Sequence, residues 1–369
     1  MQTEKKWGRG VLILALAALL LLGGFTALVD PAFHYHKPLE MLDYYIFSQR
    51  YQNDGIVKNF DYDAIITGTS MTENFRASEL DALFGVSSVK VPFSGTSMRE
   101  VADNLRRAFK ANDGIKMVVL GLDGSNFGDD KDVLRSDVPL PLYLYDENLL
   151  NDVSYLLNKD ILLKYTMRML QHTYYRVGTT SFDDYSFWWH DFEHGSRVLL
   201  GGYNRKNTQA EQIPMSESYA QRLRENIQQN VVQLAQENPD TVFYCYFSPY
   251  CTVAWDMLYL SGGLEERIDA YRLVTEELLE CENIRLYSFS TRYEWTEDLE
   301  QYKDIYHHSA DINSGILEQM LYDEDLLTKE NYEEHWQTVK LLFVLLSQLR
   351  LLVQFPVLCL GAIGLRQVL

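Results

Sequence analysis

Residues 63–75, DAIITGTSMTENF, decide how the rest of the chain is read. Ala64–Thr67 is a short apolar run rich in β-branched residues and bounded by Gly68, which predicts a strand ending at a tight turn. Ser70 stands two residues beyond that glycine. At a strand-to-helix turn, its hydroxyl and its own N–H would face the carboxyl edge of a sheet, where ligands of open α/β sheets bind. Arg76–Phe84 then reads as a short helix. Outward from there the rhythm repeats: strand Ser88–Phe93, amphipathic helix Met98–Ala111 with Val101, Leu105, Ala108 and Phe109 on one face, and strand Met117–Leu122, apolar throughout. Val242–Phe247 and Ile284–Phe289 supply a fourth and a fifth strand, separated by helices over about 218–236 and 265–281. This alternation predicts an α/β domain built on a doubly wound parallel sheet of five strands.

Composition narrows the function. With 52 Asp and Glu against 33 Lys and Arg, the net charge is −19, which excludes nucleic-acid binding because that affinity rests on neutralising phosphates. The same charge is repelled by anionic lipid heads and predicts a domain that stands off the membrane surface. Lys5, Lys6 and Arg9 precede an uncharged apolar run, Val11–Val29, long enough to cross a bilayer. The positive-inside rule puts residues 1–10 in the cytoplasm, residues 11–29 in the membrane as an anchor and everything after Asp30 outside. A cleaved signal peptide is the alternative, with the same direction of export. Residues 30–59 read as a Pro- and aromatic-containing stalk and 60–335 as the domain. About 127–215 forms an aromatic-rich insertion over the ligand cleft, with Tyr143, Tyr145, Tyr174, Tyr175, Trp188 and Trp189. Residues 336–369 are a hydrophobic tail broken by Gln348, Arg350, Gln354 and Pro356. A returning span, a buried tail and a disturbed reading frame all fit that tail, and no role is assigned to it. The four cysteines, Cys245, Cys251, Cys281 and Cys359, lack metal-ligand spacing. Cys245 and Cys251 can bridge in an oxidising compartment, although unpaired small hydrophobes are the simpler reading.

Local sequence alone gives Ser70 two roles. Ser70 and Glu73 form S-x-x-E, a capping box, and the tetrapeptide Gly-Thr-Ser-Met recurs at Gly95–Met98 with Glu100 following. Near the other end, Asp304 and His307 lie three residues apart, so that a carboxylate can orient an imidazole acting as a base. His308 competes for that role. His190 and His194, four apart, can share a metal, but they sit among aromatics, and neither a metal nor a cofactor is expected.

In this order, each block beside its strand, the chain resembles the SGNH (GDSL-type) hydrolase superfamily over roughly residues 60–325. DAIITGTSMTENF followed by VKVPFSGTS is similar to a membrane-anchored bacterial branch of it. The resemblance implies a flavodoxin-like sheet in the order 2-1-3-4-5. It also implies Ser70 as nucleophile, His307 as base oriented by Asp304, and an oxyanion held by the N–H groups of Ser70 and Gly95. The third block departs from the pattern: the family's Asn falls near Asp123, whose carboxylate cannot donate to an oxyanion, and Asn126 is the nearest substitute. The implied function is a serine ester hydrolase or acyltransferase on acyl esters of cell-surface glycans, single-pass in the cell membrane with the domain outside. D-alanyl ester transfer to cell-wall polymers is one alternative. A non-catalytic glycan-binding subunit of an export or synthesis assembly is another.

Overall fold

A computed structural model describes residues 2–124, 127–135, 140–206 and 208–353. One sheet carries the strands in the order β2-β1-β3-β4-β5-β6, with β1 Ala64–Thr67, β2 Ser88–Lys90, β3 Met117–Leu122, β4 Val242–Phe247, β5 Ile284–Ser288 and β6 Leu326–Leu327. Strands β1 to β5 are mutually parallel, and β6 pairs antiparallel with β5 through Leu286 and Leu327. The sheet is therefore mixed and six-stranded, which corrects the expected five parallel strands. Two residues cannot show an alternation. The turn into β6 also uses Asp323 and Asp325 in the left-handed region, at φ 57° and 61°, a conformation that no local pattern announces.

The central strands are apolar throughout because both of their faces are covered. In β3, Val118 and Leu120 enter a large core with Val101 and Leu105 of α4 (Met98–Ala111) and with Ile268 and Val274 of the helix Leu264–Leu278. Met117 and Val119 point the other way, into a smaller core with Leu80 of α3 (Ala77–Phe84) and with Ile316 and Leu317 of the helix Ala310–Tyr322.

The ends of the chain join this body. Helix α1 (Gln2–Val29) is long and apolar enough over Lys6–Val29 to cross a membrane or to be a signal sequence. Residues 30–59 include α2 (Gln49–Asn59), whose Ile56 and Val57 are buried in the large core. The segment 127–215 adds no strand among its described residues. It carries α5 (Val153–Leu156), α6 (Thr166–Tyr175) and α7 (Ser196–Gly201) and leads into α8 (Glu217–Ile227). At the other end the helix Tyr332–Val353 buries Trp336, Val339, Leu342, Phe343 and Leu346 in the large core, so the first half of the apolar tail is core. Residues 354–369, including Cys359, lie outside the described residues. Cys245, Cys251 and Cys281 are buried and form no disulfide with one another.

Candidate active site

The carboxyl ends of β1 and β3 approach closely at two glycines. Gly68 takes φ 145°, and a side-chain carbon there would lie 3.2 Å from Gly121 Cα and 2.8 Å from the Thr72 methyl. Only glycine permits this contact in that conformation. The chain then turns into a short 3-10 helix, Ser70–Thr72, capped by the Thr69 hydroxyl, which accepts from Met71 N–H. Ser70 is half-buried and makes no capping box with Glu73. Its Oγ lies 2.8 Å from His307 Nε2.

His307 reaches this position from a loop held at many points. Tyr302 donates from its hydroxyl to the Pro249 carbonyl just beyond β4, and Lys303 N–H donates to the His307 carbonyl. Asp304 closes the loop on itself: its Oδ1 accepts from the N–H groups of Tyr306 and His307, each at 2.9 Å. Both carboxylate oxygens also face His307 Nδ1, at 3.0 and 2.8 Å. Burial pushes the Asp304 carboxyl upward, but the His307 contacts and the two N–H donors outweigh it and bring it down to about 2. The structure thus brings together Ser70, His307 and Asp304 in hydrogen-bonded order. His308 is directed elsewhere: it is buried with Nδ1 toward the Ser309 carbonyl, and burial lowers it to about 4, leaving a neutral ring.

Gly95 lies across the same cavity at φ 59°. The cavity, of about 260 Å³, is lined by Ser70, Gly95, Asp123, Tyr250 and His307, with Arg135 and Arg267 at its side. Among the described residues neither the Ser70 nor the Gly95 N–H is taken up by a hydrogen bond. Ser97, in the second Gly-Thr-Ser-Met, caps α4 in a full capping box with Glu100, donates to the Val133 carbonyl at 2.7 Å and is buried. Asp123 occupies the end of β3 and accepts from the Thr69 hydroxyl at 3.3 Å and from the Tyr250 hydroxyl. Asn126 lies outside the described residues. His190 and His194 pack on Phe187 and Trp189 respectively.

No family model matches this chain, and no curated protein matches it. Among solved structures, one described as "a putative platelet activating factor from Streptococcus pneumonia" aligns over 74% of this chain and 90% of its own, at 13% identity and a TM-score of 0.36. A likeness of that size carries no weight for activity.

Several residues at the site were not singled out by sequence reasoning. Asn74, four residues past Ser70, accepts from the N–H groups of Trp188 and Trp189 and donates to the His308 carbonyl, tying the serine turn, the insertion and the histidine loop together. Trp188 then stands edge-on to the His307 ring, with centroids 5.6 Å apart. Gln49 of α2 donates to Glu73 and accepts from Ser94 N–H beside Gly95. These contacts join segments 24 to 234 residues apart, so no local signal marks them.

Glu73 itself is buried, and burial raises it from 4.5 to about 7 against the opposing effects of Gln49, His307, Lys90 and Lys303. A carboxyl whose folded value is raised stabilises the fold fully below its unfolded value, and that contribution is lost as pH rises through about 7. We expect Glu73→Gln to match wild type at pH 4.5 and to be more stable at pH 8 by on the order of 3 kcal/mol at most. Thermal unfolding of the full chain in detergent reads this directly. A difference that stays constant across that range would show Glu73 ionised throughout.

Proposed function

We propose that this chain is a serine ester hydrolase or acyltransferase of the SGNH type, held to the membrane by α1 and acting outside the cell on acyl esters of cell-surface glycans. The observation that carries the reading is the 2.8 Å contact from Ser70 Oγ to His307 Nε2, with Asp304 on the far nitrogen. In this reading His307 takes the Ser70 proton while Oγ attacks the ester carbonyl, and the oxyanion rests on the N–H groups of Ser70 and Gly95. The C–O bond to the alcohol breaks and His307 returns its proton to that oxygen, leaving acyl-Ser70. Water or a glycan hydroxyl then gives its proton to His307 and attacks the acyl carbon, and as the bond from that carbon to Oγ breaks His307 returns the proton to Ser70 Oγ. The anchor and the aromatic-rich insertion suit a surface polymer.

Asp123 favours a second reading, a glycan-binding subunit without turnover, because a carboxylate stands where a third oxyanion donor would serve. The two readings part on one variant. Asp123→Asn keeps an oxygen for the Tyr250 hydroxyl and adds an N–H donor. We expect hydrolysis of p-nitrophenyl acetate by the purified chain to rise by about 10-fold or more, since one such donor is worth about 10²–10³ in established sites. No turnover by either wild type or Asp123→Asn would sink the enzymatic reading.

A further inference from the structure

We propose that the face formed by α5, α6 and the turns around them lies in the outer lipid leaflet, so that the domain is seated on the bilayer. The inference rests on α1 as a membrane span and is independent of the chemistry at Ser70. Its first support is depth. Gly23, Thr26 and Val29 form the buried side of α1, and Leu156 and Leu157, at the end of α5, lie 3.6 and 3.7 Å from where a side-chain carbon on Gly23 would stand. Gly23 is six residues before the end of α1, about 9 Å down the helix axis at 1.5 Å per residue. If Val11–Val29 fills the hydrocarbon, α5 reaches about as far into the boundary as interfacial helices do, roughly 5–10 Å. The junction is rigid: Asp30 accepts from the Tyr155 hydroxyl at 2.7 Å and from the N–H groups of His34, Tyr35 and His36, while the Tyr44 hydroxyl donates to the Val29 carbonyl.

The second support is the exposed apolar side chains of the same segment. Leu149, Leu150, Val153, Leu163, Met167 and Tyr174 are all exposed, Leu150 at 89% and Tyr174 at 80%. Leu163, Met167 and Tyr174 follow helical spacing and share one side. A cluster of exposed apolar side chains beside a membrane helix marks a surface with a partner, and exposed tyrosines suit the headgroup level. The third support is charge. Residues 149–178 hold four cations, Lys159, Lys164, Arg168 and Arg176, against two carboxylates, Asp152 and Asp160, in a chain of net charge −19. Asp152 is buried and accepts from the Tyr35 hydroxyl, which leaves the local surface basic. The repulsion expected from the average charge therefore does not apply to this face.

Environment-sensitive NBD labels test the placement in the full chain, reconstituted into vesicles of phosphatidylethanolamine and phosphatidylglycerol with brominated acyl chains. One cysteine at a time replaces Leu150, Leu163 or Tyr174 in a Cys359→Ser background, in which the three remaining cysteines are buried. Leu20→Cys reports the anchor, and Tyr322→Cys, exposed at the end of a helix beside the sheet edge, reports the water-facing domain. We expect bromine quenching at 150 and 163 to approach that at 20 and to exceed that at 322 several-fold. Quenching at 150 and 163 no greater than at 322, with 20 quenched, would overturn the proposal. Labels shielded from water but untouched by bromine would overturn it in favour of a protein partner. An unquenched label at 20 would remove the anchor and the proposal with it.

Discussion

Ser70→Ala is expected to reduce labelling by a fluorescent fluorophosphonate to background, while Ser97→Ala keeps most of it. The two serines sit in identical tetrapeptides, but their hydroxyls are differently engaged. Ser97 Oγ is buried, caps Glu100 N–H and donates to Val133. Ser70 Oγ opens on the cavity and meets His307. Losing the nucleophile of a working triad costs on the order of 10⁶ in turnover, and losing the base costs a similar amount because the two act as a unit. His307→Ala should therefore also fall to background, while His308→Ala, at a buried neutral ring turned toward Ser309, should change labelling through stability alone. Labelling is read in gels at matched protein amounts, with thermal unfolding of each variant as a check on folding. Labelling that survives Ser70→Ala and disappears with Ser97→Ala would reverse the assignment. A wild-type chain that never labels would favour the non-catalytic reading.

Asp304→Asn should slow the same reaction by up to about 10⁴, the loss seen when the orienting carboxylate of a comparable triad becomes an amide. Asp304 holds the proton of His307 on Nδ1, which leaves Nε2 free to accept from Ser70. An amide can present its N–H₂ to Nδ1 instead, and the ring proton then moves to Nε2, where it blocks the transfer. Asparagine retains an oxygen for the Tyr306 and His307 N–H groups, so the loop should keep its shape and unfold within a few degrees of wild type. Because the Asp304 carboxyl is held down at about 2, it stays ionised across the working pH range and serves the wild-type histidine throughout it. A rate within 10-fold of wild type, with the fold intact, would remove Asp304 from the mechanism.

Much of this molecule was legible from residue pattern, and each success has a local physical basis. Strands Ala64–Thr67, Met117–Leu122 and Val242–Phe247 and the helix Met98–Ala111 coincide with their expected bounds, because buried parallel strands and amphipathic helices carry their own periodicity. The sixth strand did not show itself, since two residues have no period and β6 exists only where β5 offers an edge. Helix Gln49–Asn59 was hidden for a related reason: Arg50, Gln52, Asn53 and Asp54 are polar yet buried, held by hydrogen bonds and ion pairs to the segments around them, so its sequence reads as solvent-facing. The tail over residues 336–369 read as ambiguous between membrane and core, because apolarity alone does not distinguish lipid from protein as a neighbour. Stacking of Phe343 on Trp255 and packing of Trp336 near Tyr271 put its first half in the core.

The sequence by itself determined the α/β alternation, the apolar N-terminal helix, and the presence of Ser70, Asp304 and His307, residue types that a hydroxyl nucleophile and an oriented base would use. It also determined the close Asp304–His307 pairing, because three residues of spacing keep those side chains within reach of each other. Only the tertiary structure decided that Ser70 and not Ser97 meets the histidine, since the two are 237 residues from His307 and 210 from it respectively, and local sequence treats them alike. It alone decided between His307 and His308, adjacent residues whose backbone turn sends one ring into the cavity and the other into the core. A side chain's chemistry is local, whereas what it faces depends on contacts closed across hundreds of residues, which a one-dimensional pattern does not encode.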